Sequence, residues 1–125
     1  MKRAISTMFA TLLLGMAVSA FSETRTVVIW TCTLNDGKTM DDVAAANGRW
    51  VKYQNKVNED AGIRSWGAES IIGATGFVYI DSYPSLEVWS AAREAMQADE
   101  GQAIGDALDE AAECSSSSLY EATEH

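Results

Sequence analysis

The chain has 125 residues, a net charge of −9 at pH 7 and a sequence pI of about 4.4. Nine carboxylates and no lysine or arginine fall between Glu94 and Glu124. Because such a surface repels phosphate groups, the composition excludes nucleic acid as a partner and disfavours anionic lipid. A cationic, neutral or apolar partner stays open, and so does simple solvation of an acidic helix face.

Residues 1–22 have the pattern of a secretory signal peptide. A basic start is followed by the apolar run Met8–Val18 and by small residues at two cleavage points, Ala20 and Ser22. The run is shorter than the about 20 residues that span a bilayer. We therefore expect cleavage, a periplasmic or secreted bacterial protein with no membrane association afterwards, and one domain over residues 23–125. Loss of the two basic residues changes the net charge from −9 to −11.

The first strand is predicted over Arg25–Leu34, which is rich in β-branched and aromatic residues. Both of its faces are largely apolar, so we expect it to be covered on both sides. A polar turn from Asn35 to Lys38 follows at the sheet edge. This segment is either an ordinary turn or a gate to a pocket, with Asn35 as its ligand-binding candidate.

The first helix is predicted to begin after Thr39, which can cap it together with Asp42 three residues later. A buried stripe at helical spacing follows: Val43, Ala46, Trp50, Tyr53 and Val57. Residues 58–62 end the helix, and Gly62 is expected at the position after the C-cap.

A hairpin is predicted next, with strands over Ile63–Ile72 and Gly76–Ser82 and a glycine-rich loop between them. Gly67 inside the first strand indicates a bulge or a close backbone approach. Such a bulge is the one arrangement that would bring Arg64 and Glu69 together as a catalytic pair. The second strand is again apolar on both faces.

The second helix is predicted after Ser85 and is interrupted at residues 99–101. Its periodicity resumes at Ile104 and continues to Cys114. A serine linker, 115–118, and a brief final strand, 118–122, complete the chain.

The element order β-α-β-β-α-β predicts an α+β, ferredoxin-like domain, with a four-stranded antiparallel sheet and both helices on one face. The other face is expected to carry Val27, Ile29, Phe77 and Tyr79, or their neighbours of opposite parity. An apolar sheet face of this size requires a cover. The simplest cover is the same face of a second copy, which gives a symmetric homodimer.

Two cysteines in an exported domain predict one disulfide, Cys32–Cys114. A closed loop of roughly 80 residues contributes about 4.5 kcal/mol in the chain-entropy model. Two free buried thiols are the alternative, although they are uncommon outside the cytoplasm. We expect no metal and no cofactor, since His125 is the only histidine and two cysteines alone do not complete a tetrahedral zinc site.

The chain resembles the dimeric α+β barrel superfamily, near the antibiotic-biosynthesis-monooxygenase-like and NIPSNAP-like domains. It is also similar to exported bacterial proteins of unknown function. The resemblance is carried by the element order and by four segments: RTVVIWTCTL, GFVYIDSY, SLEVWSAAREAM and SSLYEA. It implies a barrel, formed by two sheets, that can hold a small organic ligand. Members include cofactor-independent oxygenases, haem-degrading enzymes, isomerases and proteins without known activity. This chain departs from the haem-handling members because no histidine precedes His125.

The candidate ligand-binding residues are Trp30, Trp66 and Tyr79, which lie on predicted strands and combine a large apolar surface with a polar atom. Core or interface packing is the alternative for all three. Two further tryptophans, Trp50 and Trp89, are expected in the core. No catalytic residue is assigned, and Asp81 is expected to have a surface role at a strand end.

Three functions remain open. The first is a homodimer that binds a small apolar ligand without catalysis, and the second is a cofactor-independent monooxygenase or isomerase. The third is a structural or interaction protein. Whether the protein is an enzyme is undecided, and the non-catalytic interpretation is preferred. A cavity with tryptophan and tyrosine walls favours the first two, and buried polar groups with shifted pKa values favour the enzyme.

Overall fold

The structure is a computed structural model and describes residues 23–125; the predicted signal peptide lies outside them. Four strands and three helices follow one another along the chain. They are β1 (Thr24–Leu34), α1 (Met40–Val57), β2 (Arg64–Glu69), β3 (Phe77–Tyr83), α2 (Leu86–Ala95), α3 (Asp99–Ala111) and β4 (Ala112–Thr123). This confirms the predicted element order, with the second helix in two parts. The break lies at residues 96–98, so the predicted interruption at 99–101 is wrong: these residues form the first turn of α3.

The strands form one antiparallel sheet in the order β2-β3-β1-β4, which is the ferredoxin-like arrangement. The register pairs Trp30 with Tyr79 and Ile29 with Ile80. Tyr79 and its neighbour Phe77 therefore lie under the helices, whereas Val27 and Ile29 face away from them. The sequence-based grouping of these four residues on one face is wrong, because the pairing register alone decides which parities of two strands share a face.

Helix α1 begins as predicted. The Thr39 hydroxyl accepts from the Asp42 backbone N–H, and the Asp42 carboxylate accepts from the Thr39 backbone N–H at 2.8 Å. The backbone N–H of Thr39 and its hydroxyl, which both donate to Oδ2 of Asp42, lower the pKa of that carboxyl group. The helix ends at its C-cap Asn58, and Glu59 then adopts a positive φ of 53°. Gly62 therefore lies beyond the position that we predicted for it.

Strand β2 is shorter than predicted and contains no bulge, since it pairs regularly with β3. Arg64 and Glu69 consequently lie on opposite faces and do not form a pair. Gly67 is exposed, and a Cβ at this position would lie 3.4 Å from Cε of Met40, an ordinary contact distance to the end of a flexible side chain. Neither of its two predicted roles, a bulge or a close backbone approach, is therefore found.

The final strand β4 is longer than predicted and starts directly after α3, at Ala112. The segment 115–118, predicted as a linker, lies inside this strand and pairs with β1. Serine is a weak strand former, but the open edge of β1 provides backbone partners along its whole length. An irregularity at Thr31/Cys32 brings Cys32 opposite Cys114, and the two form the predicted disulfide.

The helix layer covers β2, β3 and part of β1 and leaves β4 largely bare. Trp30 is consequently 39% exposed although its side chain is on the helix side of the sheet. The gap between the helices and this end of the sheet forms a cavity. No helix within residues 23–125 is both long and apolar enough to cross a membrane.

Candidate functional site

A half-enclosed cavity of about 680 Å³ lies between the sheet and the helices. Small-molecule sites have volumes of roughly 300–1,000 Å³. Five aromatic side chains contribute to its walls: Trp30, Tyr79 and Tyr83 from the sheet, Trp50 from α1 and Trp89 from α2. The cavity therefore has the size and the apolar character of a site for a planar organic molecule.

Asp81 lies on the sheet wall of this cavity and is only 7% exposed. Its Oδ2 accepts a hydrogen bond of 3.0 Å from Nε1 of Trp30, and its Oδ1 accepts one of 2.5 Å from Oγ of Ser65. The Ser65 hydroxyl in turn accepts from Nδ2 of Asn47 at 2.8 Å. None of the salt bridges found in residues 23–125 involves Asp81. The carboxyl group thus accepts from neutral donors on two strands, β1 and β2, and Asn47 of α1 orients one of these donors.

Burial raises the pKa of Asp81 to about 6, although the hydrogen bonds from Ser65 and Trp30 act in the opposite direction. Desolvation disfavours the charged form of a carboxyl group, which explains the direction of the shift. A carboxyl group with a pKa close to neutrality can accept and return a proton at physiological pH. Asp81 therefore combines burial in a cavity with a raised pKa, a combination that marks a candidate functional residue.

Tyr79 lies next to Asp81 on the same face of β3 and is 6% exposed. Its hydroxyl is the one buried side-chain polar atom in the described part of the chain for which no hydrogen-bond partner is found. Burial, together with the charge of Asp81, raises the pKa of Tyr79 to about 12. The hydroxyl is therefore protonated at physiological pH and is available as a donor to a bound molecule.

Arg93 of α2 lines the cavity near its helix wall. Its guanidinium carbon lies 5.1 Å from the centre of the Trp89 ring, a cation–π distance. It is the one basic residue in the lining, which contains two carboxylates, Asp81 and Asp109.

The four residues proposed from the sequence are not brought together. Trp30 and Tyr79 are paired neighbours in the cavity. Trp66 lies on the opposite face of the sheet and is 50% exposed. Asn35 lies at the end of α3, where its Nδ2 donates to the carbonyl oxygens of Asp109 and Glu110 at 2.7 and 3.0 Å. The Asn35 side chain therefore caps the C-terminal end of α3, where it satisfies two backbone carbonyl groups.

Sequence reasoning missed the polar network around Asp81. The prediction of a surface role for Asp81 is wrong, because β3 is covered by helices along its full length and every odd-numbered residue in it is buried. A signal was nevertheless present, because Asp81 is a carboxylate within a strand that is apolar on both faces. Burial of a carboxylate is costly unless it is hydrogen-bonded or paired, so such a residue indicates a buried polar network. Asn47 and Ser65 gave no comparable signal, since their contacts join segments distant in sequence.

The cavity lies between the sheet and the helices of one chain. The ligand site that the resemblance implied, the interior of a barrel formed by two sheets, is a different place and stays a prediction. Trp50 belongs to the buried core, as expected, and Trp89 packs against it partly buried; both also contribute to the cavity wall.

A search of solved structures finds similar folds. Over 83% of this chain and 97% of the other, the structure matches the cofactor-independent oxygenase SnoaB from Streptomyces nogalater, with a TM-score of 0.58 and 13% identity. A protein of unknown function from Bacteroides thetaiotaomicron, described as a possible oxidoreductase, matches over 82% and 99%, with a TM-score of 0.52 and 19% identity. A dimeric ferredoxin-like protein from Bacteroides fragilis matches over 83% and 99%, with a TM-score of 0.46 and 11% identity.

A scan against protein-family models gives no match, and neither does a search of curated proteins. At these identities the structural matches establish the fold and not the activity. The chain accordingly has the ferredoxin-like α+β fold of these proteins.

Proposed function

We propose that the protein binds a small, planar, apolar molecule in the cavity and removes a proton from it with Asp81, as a cofactor-independent oxygenase. The observation that carries this proposal is the buried Asp81 carboxyl group, whose pKa is raised to about 6 within an aromatic cavity. A purely structural role would not require an unpaired carboxylate in such a place, because an apolar side chain packs there at lower cost.

Binding follows from the walls of the cavity. The indole rings of Trp30 and Trp89 and the phenol ring of Tyr79 provide flat apolar surfaces, and the free hydroxyl of Tyr79 provides a donor for a carbonyl or hydroxyl oxygen. These features favour an aromatic ketone or phenol that carries an acidic C–H bond.

The reaction needs no group beyond the substrate and molecular oxygen. The Asp81 carboxylate takes a proton from an acidic CH₂ group, and the resulting carbanion adds to O₂ with formation of a C–O bond. Protonation by Asp81 gives a hydroperoxide. Asp81 then takes the remaining proton from the same carbon while the O–O bond breaks, and hydroxide leaves as water with the returned proton. In sum, R₂CH₂ and O₂ give R₂C=O and H₂O, and the carbon is oxidised as O₂ is reduced.

The proposal is supported by the fold that the chain shares with SnoaB, which is described as a cofactor-independent oxygenase. An isomerase uses the same base and returns the proton at a different carbon without consuming oxygen. Oxygen uptake therefore distinguishes the two enzymatic functions.

We also propose that the protein works as an exported homodimer. The sheet face away from the helices is apolar and includes Val27, Ile29, Trp66, Val78, Ile80 and Tyr120. A second copy packed on this face would cover it and leave both cavities accessible. The disulfide suits an oxidising compartment such as the periplasm. N-terminal sequencing of the exported protein tests cleavage after Ala20 or Ser22.

The experiment uses anthrone, whose CH₂ group lies between two aromatic rings and is acidified by the ketone. The purified exported protein is mixed with anthrone at pH 7, and oxygen uptake and ketone formation are followed against a protein-free control. Proton transfer is measured separately, as deuterium uptake at the CH₂ group in D₂O under argon. We expect protein-dependent exchange and oxidation that are both lost in Asp81→Asn.

Asp106→Asn is the matched control, because Asp106 is an exposed carboxylate of α3 outside the cavity. It is expected to retain both activities. Exchange without oxygen uptake would support the isomerase instead. Exchange that Asp81→Asn leaves unchanged, or no exchange by the wild-type protein, contradicts the assignment of Asp81 as the base.

A further inference from the structure

We propose that the cavity selects an aromatic ligand with an acidic group, whose anionic oxygens pair with the guanidinium of Arg93. This inference rests on the proposed function, since it uses the same cavity and specifies the class of molecule that enters it. It adds a specificity-determining residue on the helix wall, opposite the sheet wall that carries Asp81.

Arg93 is a cation without a carboxylate partner in a strongly acidic chain. The three salt bridges of the described residues involve Arg25, Lys38 and Lys56, each with a glutamate. Arg93 instead lies against Trp89. Arg93 is exposed to solvent, and three other basic residues of the described part of the chain, Arg49, Lys52 and Arg64, also form no salt bridge. Arg93 differs from them because it is the one basic residue in the lining of the cavity.

Arg93 has Cζ over the Trp89 ring, and none of the salt bridges found within residues 23–125 engages its N–H donors. Cation–π contact uses the face of the planar group, whereas its N–H donors point outward in the plane. Two of these donors match the two oxygens of a carboxylate. The charge of Arg93 also acts on Tyr83 of the sheet wall, where it opposes the upward shift of that pKa, so it acts across the cavity.

Placement at a helix end is a simpler explanation that must be separated from this one. Arg93 lies in the last turn of α2, where a cation stabilises the helix by interaction with its dipole. That role predicts an effect on stability and none on ligand choice. The two explanations therefore differ in whether substitution changes the preference for an acid over its neutral ester.

The test compares 2-naphthoate with methyl 2-naphthoate, which share a ring system and differ in charge. Binding to the exported protein is measured at pH 7.5 by calorimetry and by quenching of tryptophan fluorescence. A hydrogen-bonded charge pair is worth roughly a 10- to 100-fold change in affinity. We expect the acid to bind at least tenfold more tightly than the ester, with a preference that weakens as salt is added.

Arg93→Gln is expected to remove this preference while the affinity for the ester stays within twofold of the wild-type value. Arg93→Lys should retain part of the preference, because it keeps the charge and loses the planar fork. Arg49→Gln, on the exposed side of α1 outside the cavity, is the matched control and should change neither affinity.

Equal affinity of the wild-type protein for acid and ester, or a preference that survives in Arg93→Gln, overturns the inference and leaves the proposed catalytic function standing. Failure of both probes to bind, together with absence of Asp81-dependent exchange on anthrone, overturns the inference and the proposed function together.

Discussion

Replacing Asp81 by asparagine should stabilise the protein at pH 8 while it removes the proposed activity. The pKa of Asp81 is about 6 in the folded protein against an ordinary value of 3.8. A carboxyl group whose folded pKa is raised destabilises the fold as pH rises through the interval between the two values. Each pKa unit corresponds to about 1.4 kcal/mol, so the charged form costs about 3 kcal/mol above pH 6.

The local geometry accommodates the substitution. An asparagine at this position can accept from Nε1 of Trp30 through its oxygen and donate to Oγ of Ser65 through its nitrogen. The Ser65 hydroxyl has two lone pairs, of which one already accepts from Asn47, so it can also accept from the new amide nitrogen. Its own O–H, which donates to Asp81 in the wild-type protein, then loses its acceptor. After allowance for weaker neutral hydrogen bonds and for the Ser65 O–H that loses its acceptor, we expect a gain of about 1 kcal/mol at pH 8, or roughly 5 °C in Tm.

Urea denaturation of both proteins between pH 4 and pH 8, at one fixed protein concentration, provides the measurement. The difference between them isolates Asp81 from the other carboxylates, and it should be near zero or reversed at pH 4. Asp106→Asn should lie within about 0.5 kcal/mol of the wild-type protein throughout. The reasoning is refuted if the variant is less stable at pH 8, or if the difference does not change between pH 4 and pH 6.

Three other outcomes are expected. Trp30→Phe removes a hydrogen bond that lowers the pKa of Asp81, so the pH profile of proton exchange should shift toward higher pH. A profile with an unchanged midpoint would show that this bond does not affect the pKa of the carboxyl group. Reduction of Cys32–Cys114 should lower the free energy of unfolding by about 2–5 kcal/mol, and thiol labelling of the unfolded, unreduced protein should modify neither cysteine. Trp66→Lys places a charge on the apolar sheet face and should halve the mass measured by light scattering; an unchanged mass would place the dimer interface elsewhere.

The order of the elements and their local signals were predictable because they depend on short stretches of sequence. The capping residues Thr39 and Ser85 begin their helices as predicted, and the alternation of apolar and turn residues placed β1 and β3. The disulfide was predictable from the number of cysteines and the predicted export signal. By contrast, the bounds of β4 were missed, because its serines form a strand only where β1 provides a partner.

The site itself depended on tertiary structure. Trp30 and Tyr79 were identified as candidates by their chemistry, and the structure places them side by side, while Trp66 and Asn35 lie elsewhere. Asp81 was assigned to the surface because its own strand cannot show that helices cover it. The sequence by itself determined the ferredoxin-like fold, the disulfide and an apolar sheet, since periodicity and residue type encode these locally. Only the tertiary structure decided which strand faces pack against the helices and left β4 uncovered by them. The burial of Asp81, and with it the raised pKa, depends on this packing.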